Sequence, residues 1–260
     1  MTGIERIAAS FARSKAFVAY VTAGDGGLKQ TLDAALALID AGVTILEIGV
    51  PFSDPVADGP VIQRAAARSL AAGTTLPAIL DLVAELRHRT DIPLILFTYL
   101  NPIFRILQTD FFQKAQQAGI DGLLVVDCPL EEMTPLLQPC AQHGLAPIFV
   151  ATPTTPEQRI QQLDQLGQGF LYYACRKGTT GVRAQLPEDF TTKMQALKAQ
   201  VTLPVVVGFG IASREAASQV LEDADGVVVG SLFVEALEKG MPFKALQRLA
   251  MQINPLVRGV

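Results

Sequence analysis

The sequence predicts a closed (β/α)8 TIM barrel with an extra N-terminal helix. Eight short aliphatic runs are each followed by a stretch of helical periodicity, and the unusual residues gather after the runs rather than before them. The runs cover 16–22, 43–50, 93–98, 122–127, 145–150, 169–174, 203–207 and 225–229. Near-continuous Val, Ile and Leu marks strands buried on both faces, as parallel strands are. Right-handed crossovers between eight such strands put every helix outside and close the sheet on itself. A chain of 260 residues suits one barrel, so 1–260 is read as a single domain.

The chain opens with Ile4, Ile7, Ala8 and Phe11 at helical spacing, the face of an additional amphipathic helix. Helical patterns then fill 28–41, 61–72, 77–89, 109–118, 131–143, 156–166, 188–200, 213–222, 232–239 and 242–253. In the first of these, Leu32, Ala35, Leu36 and Ile39 form the inward stripe. An open doubly wound sheet would need a glycine fingerprint after its first strand, and that turn offers only Gly24, Gly26 and Gly27.

Composition narrows the function. Half the residues are hydrophobic and 18% charged, which supplies a large core. A net charge of −4 leaves no electrostatic footprint for nucleic acid. No apolar stretch reaches the ~18 residues of a membrane span, and Met1–Arg6 has no signal-peptide core. Three widely spaced cysteines, Cys128, Cys140 and Cys175, fit free thiols in a reducing cytoplasm rather than a disulfide framework. His88 and His143 are read as surface residues, and no metal site can be assembled from them.

Strand starts are plain, as in Asp91-Ile92-Pro93, Ala118-Gly119-Ile120 and Thr202-Leu203-Pro204. Strand ends carry Thr22-Ala23-Gly24-Asp25, the loop from Pro51 to Pro60, Asn101-Pro102, Asp127-Cys128-Pro129 and Thr152-Pro153-Thr154. In a barrel these ends converge on one face, where catalytic loops belong. Glycines follow the last three strands, at Gly178–Gly181, Gly208-Phe209-Gly210 and Gly230-Ser231. Such loops let backbone N–H groups approach an anion, and a helix starting at Ser231 points its positive end the same way. A phosphate site is expected there.

Glu47 stands in the middle of the second strand, eleven residues before Asp58. Ile45, Glu47 and Gly49 share one face of that strand, so Glu47 is expected to point into the barrel near its upper mouth. An ionised carboxylate there is costly unless it is paired or its pKa moves, and no basic residue stands in the neighbouring strands. Glu47 and Asp58 are therefore the candidate acid/base pair. Asp54 and Asp58 also fit ordinary turns, and Asp25 and Asp127 fit helix caps or hydrogen-bond acceptors.

The segment Glu47-Ile48-Gly49-Val50-Pro51-Phe52-Ser53-Asp54-Pro55-Val56-Ala57-Asp58-Gly59-Pro60-Val61-Ile62-Gln63 resembles the signature of the tryptophan synthase α-subunit family. Thr22–Asp25, Asn101-Pro102-Ile103, Asp127–Glu132, Thr180-Gly181 and Gly208–Ile211 match at the right spacings. The resemblance implies a lyase that splits indole-3-glycerol phosphate into indole and glyceraldehyde 3-phosphate by a retro-aldol reaction. It implies Glu47 as general acid/base and Asp58 as partner of the indole N–H. Tyr20, Phe97, Tyr99, Leu124 and Phe209 match the indole pocket, and Tyr172 matches a residue near the glutamate. Gly181, Gly210, Gly230 and Ser231 match phosphate ligands, with Thr180 on a loop that closes over substrate.

The family pairs with a pyridoxal-phosphate-dependent β-subunit, usually as α2β2, so the cofactor is expected on the partner and none on this chain. Asp54, Pro55, Asn101 and Pro102 match the side facing that partner. The chain departs from the family pattern at Gly26, at Arg105-Ile106-Leu107, at Cys175-Arg176-Lys177 and at Leu232 beside Ser231. The altered loop after Pro102 keeps a second reading open, a catalytically weak barrel acting as allosteric partner of the β-subunit.

Overall fold

The computed structural model describes residues 1–105, 110–175, 186–208 and 210–257. Helix α1 (Gly3–Arg13) leads into β1 (Ala16–Thr22) and α2 (Leu28–Asp40), then β2 (Ile45–Gly49), α3 (Pro60–Ala71) and α4 (Leu76–Arg87). Next come β3 (Leu94–Thr98), α5 (Leu100–Phe104), α6 (Phe111–Ala118), β4 (Gly122–Val125), a 3₁₀ turn at Leu130–Glu132 and α7 (Thr134–Gln142). The chain continues with β5 (Ala146–Ala151), α8 (Glu157–Leu166), β6 (Leu171–Ala174), α9 (Phe190–Lys198), β7 (Val205–Gly208) and α10 (Arg214–Asp223). It ends with β8 (Gly226–Val229), α11 (Ser231–Glu238) and α12 (Phe243–Ile253). Each strand pairs in parallel with the next, and β8 returns to β1 with Gly226 opposite Ala16.

The strand pleat sorts side chains into two apolar layers. Val18, Ile45, Ile95, Leu124, Ile148, Phe170 and Val206 fill the interior. Phe17, Ala19, Leu46, Ile48, Leu96 and Val207 pack under the helices. Helix α1 closes the lower end: Ile7 joins the interior cluster, and the Phe11 ring lies 6.0 Å from Phe170. Its start is set by a capping box, with Glu5 N–H on Thr2 Oγ1 at 3.2 Å and Thr2 N–H on Glu5 Oε2 at 2.7 Å. At the same end Asp121, fully buried, pairs with Arg87 of α4 at 2.6 Å and with Arg6 of α1, and accepts the Leu94 N–H at 2.8 Å.

Two expected elements differ. The pattern over 131–143 divides into the 3₁₀ turn and α7, because Pro135 favours a first helical turn and so restarts the helix. Asn101-Pro102 is helical rather than loop, as Pro is tolerated in a first turn, and Asp127 accepts the Leu100 N–H at 2.7 Å. Among the described residues no single helix is long and apolar enough to cross a membrane.

Candidate active site

Glu47 points inward from β2, between Tyr20 of β1 and Ile95 of β3 in the parallel register. It is 1% exposed, and among the described residues its Oε1 has no hydrogen-bond partner. The contrast with Asp121 is chemical: that carboxylate is paired with two arginines, and among the described residues no cation pairs with Glu47. Burial pushes the Glu47 carboxyl up to about 8, so it carries a proton at neutral pH.

Asp58 is delivered by the loop that follows β2. Asp58 N–H donates to Pro55 O at 3.0 Å, and Val56 N–H to Asp54 O at 2.9 Å, which folds the proline-rich segment back over the barrel mouth. Gln63 Nε2 holds the Asp58 carbonyl at 2.8 Å. The Tyr99 hydroxyl donates to Asp58 Oδ2 at 2.9 Å while accepting the Ala57 N–H at 3.0 Å. Phe52 packs on the Tyr99 ring at 5.0 Å. Burial raises the Asp58 carboxyl to about 6, and the Tyr99 hydrogen bond works against that rise. Two carboxyls in one place thus hold different protonation states near neutrality.

Both face a small cavity of about 40 Å3 lined by Tyr20, Glu47, Asp58, Ile62, Phe97, Tyr172, Gly210, Val228, Gly230 and Ser231. Glycines make room for its aromatic walls. A methyl group added at Gly49 would overlap the Tyr20 hydroxyl, and one added at Gly208 would overlap the Tyr172 hydroxyl. Gly208 therefore gives space to a ring. Gly210, Gly230 and Ser231 complete the lining, and Ser231 begins α11. The first N–H groups of a helix lack partners within it and favour an anion.

Tyr99 and Leu124 do not line this cavity: Tyr99 stands behind Asp58, and Leu124 lies deeper in the interior cluster. Thr180, Gly181 and Phe209 fall outside the described residues. Asp54 and Asn101 are exposed on the rim, with Pro55 and Pro102 half-buried beside them. Sequence reasoning missed Ile62 and Val228. Val228 alternates with Gly226 on the last strand and stands two residues before Gly230, which was the available signal. His88 is exposed and His143 half-buried, its Nδ1 3.0 Å from Gln116. No cluster of metal-ligating residues exists among the described residues. Burial raises the Cys128 thiol to about 11 and the Cys140 thiol to about 12, so neither is a thiolate at neutral pH.

The family model described as "Tryptophan synthase alpha chain" matches residues 8–257. The chain belongs to the tryptophan synthase alpha chain family. A tryptophan synthase alpha chain of Coxiella burnetii is 52% identical over 252 residues, covering 97% of this chain and 98% of that one. One from Chlamydia caviae is 44% identical over 256 residues, covering 97% and 99%. Among solved structures, the alpha subunit from Legionella pneumophila superposes with a TM-score of 0.88 at 37% identity, over 97% of both chains. A tryptophan synthase complex from Pyrococcus furiosus gives 0.83 at 34% identity, over 92% of this chain and 97% of that one.

Membership in the tryptophan synthase alpha chain family and the geometry meet at one place. The segment 47–63 that carries the resemblance supplies Glu47, Asp58 and Ile62 to the cavity, and the same segment begins α3.

Proposed function

We propose that this chain, acting as one barrel domain over 1–260, cleaves indole-3-glycerol phosphate to indole and glyceraldehyde 3-phosphate. The observation that carries the reading is Glu47 Oε1, buried and without a partner among the described residues, in the same cavity as Asp58. The carbon–carbon bond at indole C3 breaks once C3 is tetrahedral. Glu47, protonated at neutral pH, gives its proton to C3. The resulting positive charge spreads to the indole nitrogen, where ionised Asp58 accepts the N–H and stabilises it. Glu47, now a carboxylate, removes the proton of the adjacent glycerol hydroxyl. The bond electrons return to the ring as the aldehyde forms, and Glu47 ends protonated as it began. Tyr20, Phe97 and Tyr172 flank the ring and chain, with Tyr99 and Leu124 supporting from behind. Gly210, Gly230 and Ser231 take the phosphate, with Thr180, Gly181 and Phe209 assigned to the same substrate by the family motif alone.

The family name points to a β-subunit as partner, and we place an α2β2 assembly on the rim holding Asp54, Pro55, Asn101 and Pro102. Supporting this, Val56 is 76% and Phe104 48% exposed on the same segments. A groove of about 560 Å3 runs there between Pro51–Ser53, the turn from α3 to α4 and α5. Pyridoxal phosphate belongs to that partner, and this chain works without a cofactor, in the cytoplasm.

The test is release of indole from indole-3-glycerol phosphate by purified protein, with and without a β-subunit. Turnover in either condition supports the reading. No indole above buffer in both removes it.

A further inference from the structure

Resting on that reading, we infer that the Tyr20 hydroxyl grips the hydroxylated three-carbon chain between the indole and the phosphate, and so selects for it.

Tyr20 is 5% exposed and lines the cavity. Its side chain starts at the phosphate end, where a Cβ built on Gly230 would sit 3.2 Å from the Tyr20 Cβ. It ends with its hydroxyl over Gly49, two residues beyond Glu47 on the same strand and face. The side chain therefore spans the interval from phosphate site to proton donor. In the proposed substrate that interval is occupied by the glycerol carbons and their two hydroxyls. The ring is fixed edge-on against Phe97, with centroids 5.3 Å apart and planes at 80°. Thr22 Oγ1 donates to the phenol oxygen at 3.3 Å. Among the described residues no acceptor takes the phenol's own hydrogen, which leaves it for a ligand oxygen. Burial, and after it the Asp58 charge, raises the phenol well above its ordinary range, so it is a neutral donor at neutral pH.

A site built to hydrogen-bond a substrate hydroxyl discriminates against the analogue that lacks it, whereas an apolar wall does not. The probes are indole-3-glycerol phosphate and an indole carrying an unsubstituted three-carbon phosphate chain. Their affinities are measured by calorimetry in Glu47→Gln protein, which holds substrate uncleaved, with and without Tyr20→Phe. Loss of one hydrogen bond weakens the hydroxylated ligand about tenfold and leaves the deoxy ligand within about twofold. Equal weakening of both ligands assigns Tyr20 a packing role and overturns the inference, as does no weakening of either. Indole release by the unsubstituted protein is followed separately. If that protein binds substrate without cleaving it, the reaction assignment falls while the affinity comparison still decides on Tyr20.

Discussion

Glu47→Gln should stabilise this protein while abolishing its chemistry, and the stabilisation should grow with pH. In the folded protein burial raises the Glu47 carboxyl from its ordinary 4.5 to about 8. In the unfolded chain the carboxyl is hydrated and keeps its ordinary value. Below pH 4.5 both states are protonated and the group costs nothing. Between 4.5 and about 8 the unfolded chain loses the proton and the folded one keeps it, so stability falls as pH rises. Each pH unit across that window costs about 1.4 kcal/mol. The loss levels off above pH 8 at roughly 5 kcal/mol, less whatever local rearrangement recovers. Glutamine has nearly the same shape and no charge to lose. Urea unfolding of both proteins from about pH 5 to about pH 9 isolates the term, because other titrating groups cancel in the difference. The variant's advantage should be below about 1 kcal/mol at the acid end and several kcal/mol at the alkaline end. Its kcat should fall by ~10²–10⁴, the usual worth of general acid–base transfer. Parallel stability curves would mean that Glu47 is solvated or paired, and the proton-transfer role would lose its physical basis.

Three further outcomes follow from particular contacts. Tyr99→Phe removes the hydrogen bond that holds Asp58 down, so the acid limb of the kcat/KM profile should move to higher pH, from its origin near 6; an unmoved limb would separate Asp58 from catalysis. Gly208→Ala forces Tyr172 off its position and should cost about 1–3 kcal/mol by overpacking, read by urea unfolding, with a larger relative loss of indole release. Asp121→Ala leaves the partly buried Arg87 and Arg6 without their shared partner and should cost up to about 3 kcal/mol, with kcat retained where the protein stays folded.

The barrel was legible because local pattern and topology agree. Ala16–Thr22 is a strand over the same residues as its aliphatic run, and the inward set Ile45, Glu47 and Gly49 follows directly from the pleat. Where boundaries moved, a single residue outweighed the periodic pattern: Pro135 restarts α7, and Asp127 caps α5 from another loop. Cavity membership was less legible. Tyr99 and Leu124 have the right residue types and strands, but facing inward does not fix height along the barrel. Tyr99 is turned to brace Asp58, and Leu124 is a layer too deep. Ile62 escaped notice because a helix's first turn reads as outer packing until its start is known to sit at the barrel mouth.

The deepest limit concerns two of the buried acids, Glu47 and Asp121. Sequence pattern put Glu47 in a strand without basic neighbours and singled out nothing at Asp121, which falls between Ala118-Gly119-Ile120 and the run 122–127. Asp121 is as fully buried as Glu47. What distinguishes them is the company that folding brings: Arg6 arrives from 115 residues away and Arg87 from 34. Charge at Asp121 is spent on holding α1 and α4 to the closed end of the barrel. Among the described residues Glu47 Oε1, at the open end, receives no such partner, and burial favours the protonated carboxyl. That proton is the one the proposed reaction passes to carbon. A burial cost that would be a defect in a scaffold is, at this position, what keeps an acid loaded at neutral pH.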